Sequence, residues 1–103
     1  MGAGEEAEID LALRLGRRVV VTVSGPPYVQ WRKEHYPSVT SRHGALCSPG
    51  SHGKPFHAIL LVARLDDGYV FHDPWFPADQ QPLHMSEDAF QSCFAGQAIV
   101  ALP

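Results

Sequence analysis

The residues best suited to chemistry in this chain are a histidine and an aspartate in two neighbouring apolar segments. His57 opens the run His57-Ala58-Ile59-Leu60-Leu61-Val62, and Asp73 follows sixteen residues after His57, at the end of a second apolar run. An imidazole beside a thiol converts it into a thiolate near neutral pH, and a carboxylate can hold that imidazole in one orientation. The pair therefore predicts nucleophilic chemistry that needs a cysteine as its third group.

The chain contains two cysteines, Cys47 and Cys93, and we expect both to be free thiols. Cys47 precedes His57 in a segment rich in Ser, Pro and Gly, where no helix N-terminus is expected to lower the thiol pKa. Cys93 is expected late in a helix beside phenylalanines, which is typical of a thiol in the core. Cys47 is therefore the candidate nucleophile within the chain.

A β-hairpin is the element that must position the histidine and the aspartate. Residues 56–65 and 69–73 have strand patterns, and the Asp66-Asp67-Gly68 segment between them has the composition of a hairpin turn, with Gly68 suited to a positive φ. A three-residue turn would set Asp73 about four residues, or about 13 Å, from His57 on the same face of the sheet. A twist or a bulge is needed to close that gap.

The elements around the hairpin are predicted in the order helix, strand, long loop, strand, strand, helix, strand. Residues 5–15 have helical periodicity, and the valine-rich run at 19–23 lacks alternation, which predicts a strand covered on both faces. Ser86 is placed to cap the second helix and Gly96 to end it. Residues 97–102 are predicted to form the last strand.

Residues 25–55 are predicted to form a long irregular loop, in which the spacing of residues 28–36 is compatible with two helical turns. This segment holds five of the nine prolines and three of the six histidines. A connection of that length in a compact domain is usually functional or disordered, and the segment is the candidate for a lid or a binding loop. Tyr28 and Trp31 are its candidate peptide-binding residues, although packing of the loop over the sheet explains them equally well.

The pattern of His57, Asp73 and Trp75 resembles the His/Asp half of papain-like cysteine peptidases. The closest likeness is to the bacteriocin-processing peptidases that cut leader peptides after a double glycine, and it covers roughly residues 5–24 and 56–102. The resemblance implies that His57 activates a thiol, that Asp73 orients the imidazole and that Trp75 shields their hydrogen bond from water. In that family the nucleophilic cysteine begins a helix further upstream, preceded by a glutamine that helps bind the oxyanion, and this chain has no such pair, since no cysteine precedes Cys47.

The sequence predicts a single peptidase-like domain over residues 1–103. Its fold class is α/β of the α+β type, a mainly antiparallel sheet flanked by helices, and the resemblance implies a papain-like half domain. A chain of 103 residues with 45% apolar residues fits one small globular domain. Because a domain of this size is only marginally stable alone, we expect a homodimer or a complementary chain as a partner.

Composition excludes several classes of partner. The net charge is −3 and the basic residues are scattered, so no nucleic-acid-binding surface is expected. The longest apolar run, residues 58–63, is far shorter than the roughly 20 residues of a membrane helix. An acidic start is unlike a signal peptide, so we expect a cytoplasmic protein.

The leading hypothesis is a degenerate peptidase-like domain that binds a peptide or partner protein without cleaving it and needs no cofactor or metal. The first alternative is an active cysteine peptidase or acyltransferase that uses His57 and Asp73 with Cys47 or with a cysteine from a second chain. The second alternative is a small zinc-stabilised domain, although no standard zinc signature matches. Its ligands would come from His43, Cys47, His52 and His57, completed by His72 or Asp73.

Overall fold

The computed structural model describes residues 3–36, 56–74, 76 and 78–100. Helices and strands follow one another in the order α1 (Ala3–Arg14), β1 (Val19–Ser24), α2 (Gly25–His35), β2 (Phe56–Leu65), β3 (Gly68–His72), a short 3-10 helix (Ala78–Gln80), β4 (Leu83–Ser86), α3 (Glu87–Cys93) and β5 (Phe94–Val100). The fold is α+β, as the sequence predicts. None of the described helices is long and apolar enough to cross a membrane.

The five strands form one antiparallel sheet in the order β4-β3-β2-β1-β5. The described helices cover one face of this sheet, where α1 contributes Ile9 to the core, Tyr28 of α2 packs on Phe71 and Phe90 of α3 packs on Tyr69. The opposite face is open within the described ranges.

The prediction that β1 is covered on both faces is wrong for the described part of the chain. Val19, Val21 and Val23 are fully buried, whereas Val20 is 38% exposed. The three consecutive valines at 19–21 therefore conceal the alternation of a strand with one buried face, because both faces carry the same apolar side chain there.

The hairpin between β2 and β3 has a tighter turn than the sequence suggests. Leu65 pairs with Gly68, so the turn contains Asp66 and Asp67 alone. The positive φ predicted at Gly68 is wrong, because among the described glycines it occurs at Gly16 and Gly96. Gly68 is needed for a different reason: a Cβ atom there would lie 2.0 Å from the main-chain oxygen of Met85 in β4.

A β-bulge in β2 brings the hairpin partners into register at the His57 end. Leu61 pairs with Phe71 and Ala63 with Val70, which leaves the intervening residue of β2 as the extra one. Leu60 then pairs with His72, and continuing by one residue sets Asp73 opposite position 59. The shorter turn and the bulge together reduce the offset from His57 to two residues, about 7 Å along the strand.

The first part of the predicted 25–55 loop is a helix over residues 25–35, so the irregular loop is wrong there, whereas the two helical turns considered for residues 28–36 fall largely within this helix. Helix α2 starts immediately after β1, with proline at its first positions. Proline is favourable in a first helical turn because its missing N–H has no intrahelical partner there. The two prolines that end the β1 pattern therefore lie in the first turn of a helix. Residues 37–55 of the predicted loop lie outside the described residues.

The C-terminal part departs from the prediction at two points. Ser86 caps α3 as predicted, accepting a hydrogen bond from the Ala89 main-chain N–H at 3.2 Å, but it also ends a fourth strand, β4, that was not foreseen. Helix α3 ends at Cys93, and Gly96 lies inside β5 with φ +88°. Gly96 therefore does not end the helix. It lies in β5 where the pairing with β1 is irregular, because Thr22 pairs with Gln97 whereas Val23 pairs with Phe94.

Candidate functional site

His57 and Asp73 lie in direct contact at one end of the sheet. The Nε2 atom of His57 is 2.8 Å from Oδ1 of Asp73, and the two side chains are 8% and 0% exposed. His57 is the second residue of β2 and pairs with Val23 of β1, whereas Asp73 comes directly after β3. The bulged hairpin therefore brings together two residues that lie sixteen positions apart, and their catalytic roles stay predictions.

Tyr28 is the third member of this group. Its hydroxyl donates a hydrogen bond to Oδ2 of Asp73 at 2.5 Å, and its ring centroid lies 5.4 Å from that of His57. Tyr28 is fully buried in the first turns of α2. The buried carboxylate of Asp73 thus has a hydrogen-bonding partner on each of its oxygens, as an ionised group in the interior requires.

Gln81 holds the main chain of Asp73. The Asp73 N–H donates to Oε1 of Gln81, the Gln81 Nε2 donates to the carbonyl of Phe76, and the Phe76 N–H donates to the carbonyl of Asp73. These three bonds fix the turn that leaves β3. Sequence analysis missed Gln81, because the glutamines of this proline-rich segment belong to no periodic pattern or motif.

Trp31 and Tyr28 belong to the buried core. Trp31 is 6% exposed, and its ring stacks on Tyr28 at 5.9 Å and on His35 at 5.2 Å between centroids. Both side chains therefore pack over the sheet, as one of the two sequence-based interpretations of these residues predicts. A role for either residue in binding a peptide stays a prediction.

Cys93 has the environment of a structural thiol. It is 2% exposed, and burial raises the pKa of its thiol to about 11. Because the thiolate is the nucleophilic form, Cys93 is poorly suited to attack a substrate near neutral pH. Cys47 and Trp75 lie outside the described residues, so their roles as nucleophile and as shield stay predictions.

The zinc alternative draws on residues that the structure describes in part. His43, Cys47 and His52 lie outside the described ranges, and within those ranges no group of three or more His, Cys, Asp or Glu side chains is placed to hold a metal ion. His57 and Asp73 contact each other directly. The zinc site stays a prediction on the remaining residues.

A groove of about 420 Å³ opens at the same end of the sheet, on the face without described helices. It flanks the pair in sequence, since Ala58 follows His57 and Pro74 follows Asp73. The groove is mainly apolar and has His72 and Gln81 as its polar members. Its lining residues are Val20, Ala58, Ile59, Leu60, His72, Pro74 and Gln81.

The arrangement can orient one imidazole for acid–base chemistry. When the neutral ring of His57 donates its Nε2 proton to Asp73, Nδ1 is the basic nitrogen of that tautomer. A buried carboxylate also stabilises the charged ring when Nδ1 takes up a proton.

The chain matches no protein-family model, no curated protein and no solved structure.

Proposed function

We propose that this chain is a papain-like domain, similar to the bacteriocin-processing peptidases, that binds a peptide or partner protein without cleaving it. One contrast carries the proposal. The buried His57–Asp73 pair has the geometry of a thiol-activating group, whereas Cys93, the one cysteine among the described residues, is buried with a thiol pKa of about 11. A pair that is suited to activating a thiol is thus accompanied, within the described residues, by a thiol that is unfit for attack.

The groove beside the pair supports the peptide-binding part of the proposal. Its mainly apolar lining suits the side chains of a peptide, and His72 and Gln81 offer polar partners for the peptide backbone. The groove and the His57–Asp73 pair lie on opposite faces of the same end of the sheet.

A titration followed by NMR tests peptide binding. The probe is a synthetic peptide with an apolar stretch followed by Gly-Gly, and the control peptide has the same composition in scrambled order. We expect the amide resonances of Leu60, which lines the groove, and of Asp73, which precedes the groove residue Pro74, to shift on binding. We also expect Leu60→Lys to weaken binding at least tenfold. Leu65→Lys is the matched control, since Leu65 is an exposed leucine at the far end of β2. Equal shifts with both peptides, or none, would overturn the proposed binding.

An active cysteine peptidase or acyltransferase is the second candidate, and the 2.8 Å contact between His57 and Asp73 favours it. In that mechanism a thiolate from Cys47 or from a second chain attacks a carbonyl carbon, and His57 gives its proton to the leaving group as the bond to that group breaks. Asp73 keeps the ring oriented throughout.

Thiol alkylation separates the two candidates. The rate of labelling at each cysteine is measured near pH 6.5 by mass spectrometry in the wild type, in His57→Ala and in His84→Ala. His84 is the matched control because it also contacts a carboxylate, that of Asp67, but at an exposed position. Fast labelling of Cys47 that collapses in His57→Ala alone supports the enzyme, whereas slow labelling that is independent of His57 supports binding without cleavage.

The proposal includes a cytoplasmic setting and a partner chain. Thiols stay reduced in the cytoplasm, which suits a cysteine that is free in the structure. The partner is a second copy or a complementary chain. Size-exclusion chromatography with light scattering tests this part, since a dimer has twice the 11.3 kDa mass of one chain.

A further inference from the structure

We propose that Tyr28 is a positioning residue that holds the Asp73 carboxylate in the orientation that keeps His57 in a single tautomer. The inference rests on the proposed function in one respect, that the His57–Asp73 pair is the working element of the site. It assigns to Tyr28 a role through Asp73, at a position where sequence patterns suggest peptide contact or packing.

The two oxygens of Asp73 are divided between two side chains. His57 Nε2 lies 2.8 Å from Oδ1, and the Tyr28 hydroxyl lies 2.5 Å from Oδ2. Rotation about the bond between Cβ and Cγ of an aspartate is soft, so a single hydrogen bond leaves the carboxylate free to swing. With Oδ2 held by Tyr28, Oδ1 stays directed at the ring of His57.

The position of Tyr28 itself is fixed by the chain and by the core. Helix α2 starts without a connecting loop after β1, and Val23 of β1 is the pairing partner of His57. The first turns of α2 therefore lie beside the start of β2. The Tyr28 ring packs against Trp31 at 5.9 Å and Phe71 at 6.3 Å between centroids. This packing fixes the direction of the Tyr28 hydroxyl independently of its hydrogen bond to Asp73.

The main chain of Asp73 has a separate anchor in Gln81, which accepts from the Asp73 N–H. Gln81 fixes where the residue lies, and Tyr28 fixes how its carboxylate is turned. The tautomer of His57 depends on the second of these, because a ring nitrogen keeps its proton when a correctly oriented acceptor faces it. A purely structural tyrosine would stabilise the fold without controlling the tautomer.

The test compares Tyr28→Phe with Tyr36→Phe. Each variant removes one hydroxyl from a tyrosine, and the Tyr36 hydroxyl contacts the main chain of His84, away from Asp73. The readout is the pair of ring ¹⁵N shifts of His57, which distinguish the two neutral tautomers and the charged ring. We expect one neutral form, with the proton on Nε2, in the wild type and in Tyr36→Phe. In Tyr28→Phe we expect the minor Nδ1–H form to increase several-fold.

Asp73→Asn is the positive control, since it must change the His57 shifts if the assignment of the resonances is right. Unchanged His57 ring shifts in a folded Tyr28→Phe variant would overturn the proposal. If that variant does not fold, uniform 3-fluorotyrosine keeps the ring and makes each phenol a stronger donor. The His57 shifts must then move in the wild-type sequence, and their constancy would overturn the proposal as well.

The proposed function can fail independently of this inference. A protein that binds no peptide in the titration, but whose His57 tautomer depends on Tyr28, would leave the positioning role intact and remove the peptide. A protein that binds the peptide, but whose His57 ring shifts are unaffected by Tyr28→Phe, would keep the proposed peptide binding and remove the positioning role of Tyr28.

Discussion

The energetic coupling between His57 and Asp73 is the sharpest prediction from the structure. His57→Ala removes the partner of a carboxylate that is 0% exposed. Removing a hydrogen-bond partner from a buried carboxylate typically costs about 1–3 kcal/mol, and more when the carboxylate is charged, because one of the groups that offset its desolvation is lost. Tyr28 still donates to Asp73 in this variant, so we expect a loss of about 3 kcal/mol in the free energy of unfolding.

The double variant gives the decisive comparison. Asp73→Ala alone should also cost about 3 kcal/mol, because it leaves the ring of His57 and the Tyr28 hydroxyl without their acceptor. With both residues replaced, no uncompensated charge remains, and we expect a total cost of about 4 kcal/mol instead of the additive 6. The coupling energy is therefore about 2 kcal/mol, within the range for a hydrogen bond to a charged group.

Urea unfolding followed by circular dichroism measures these differences. With an m-value of about 1.5 kcal/mol/M, a loss of 3 kcal/mol lowers the midpoint by about 2 M. The exposed pair of His84 and Asp67, with an Nε2–Oδ1 distance of 3.2 Å, is the matched control and should couple by less than about 0.5 kcal/mol. Coupling below about 0.5 kcal/mol for His57 and Asp73 as well would refute the reasoning that their pair is a buried, hydrogen-bonded unit.

Three further outcomes follow from contacts in the structure. Burial raises the pKa of the Cys93 thiol from 9.0 to about 11, which at pH 8 lowers the thiolate fraction about 100-fold, so Cys93 should alkylate about 100-fold more slowly in the native protein than in urea; similar rates would contradict its burial. Gly68→Ala should cost more stability than Gly96→Ala, because its Cβ meets the main chain of Met85 whereas Gly96 has open space and a strain cost of about 1 kcal/mol. The reverse order of melting temperatures would be inconsistent with the pairing of β3 and β4. Gln81→Ala should destabilise the protein by about 1–3 kcal/mol, since it leaves the Asp73 N–H without its acceptor, and an unchanged midpoint would argue against that anchor.

Part of the candidate site could be predicted because its signals are local. A histidine at the start of an apolar strand, an aspartate at the end of the next one and a turn-forming segment between them are all visible within seventeen residues. The cap at Ser86 is equally local, since the serine hydroxyl bonds the Ala89 N–H three residues later. The same strand patterns and turn segment also predicted an antiparallel sheet.

What the sequence determined by itself was the type of α1, β1, β2, β3, α3 and β5 and the residues with chemical potential, because periodicity and caps act over a few residues. The tertiary structure decided the register, since the two-residue turn and the bulge depend on how β3 pairs with β2 and β4. It also decided that Tyr28 bonds Asp73, a contact between residues 45 positions apart in the chain. No local pattern encodes that contact, because it exists only once α2 packs over the sheet and directs the tyrosine hydroxyl to the carboxylate.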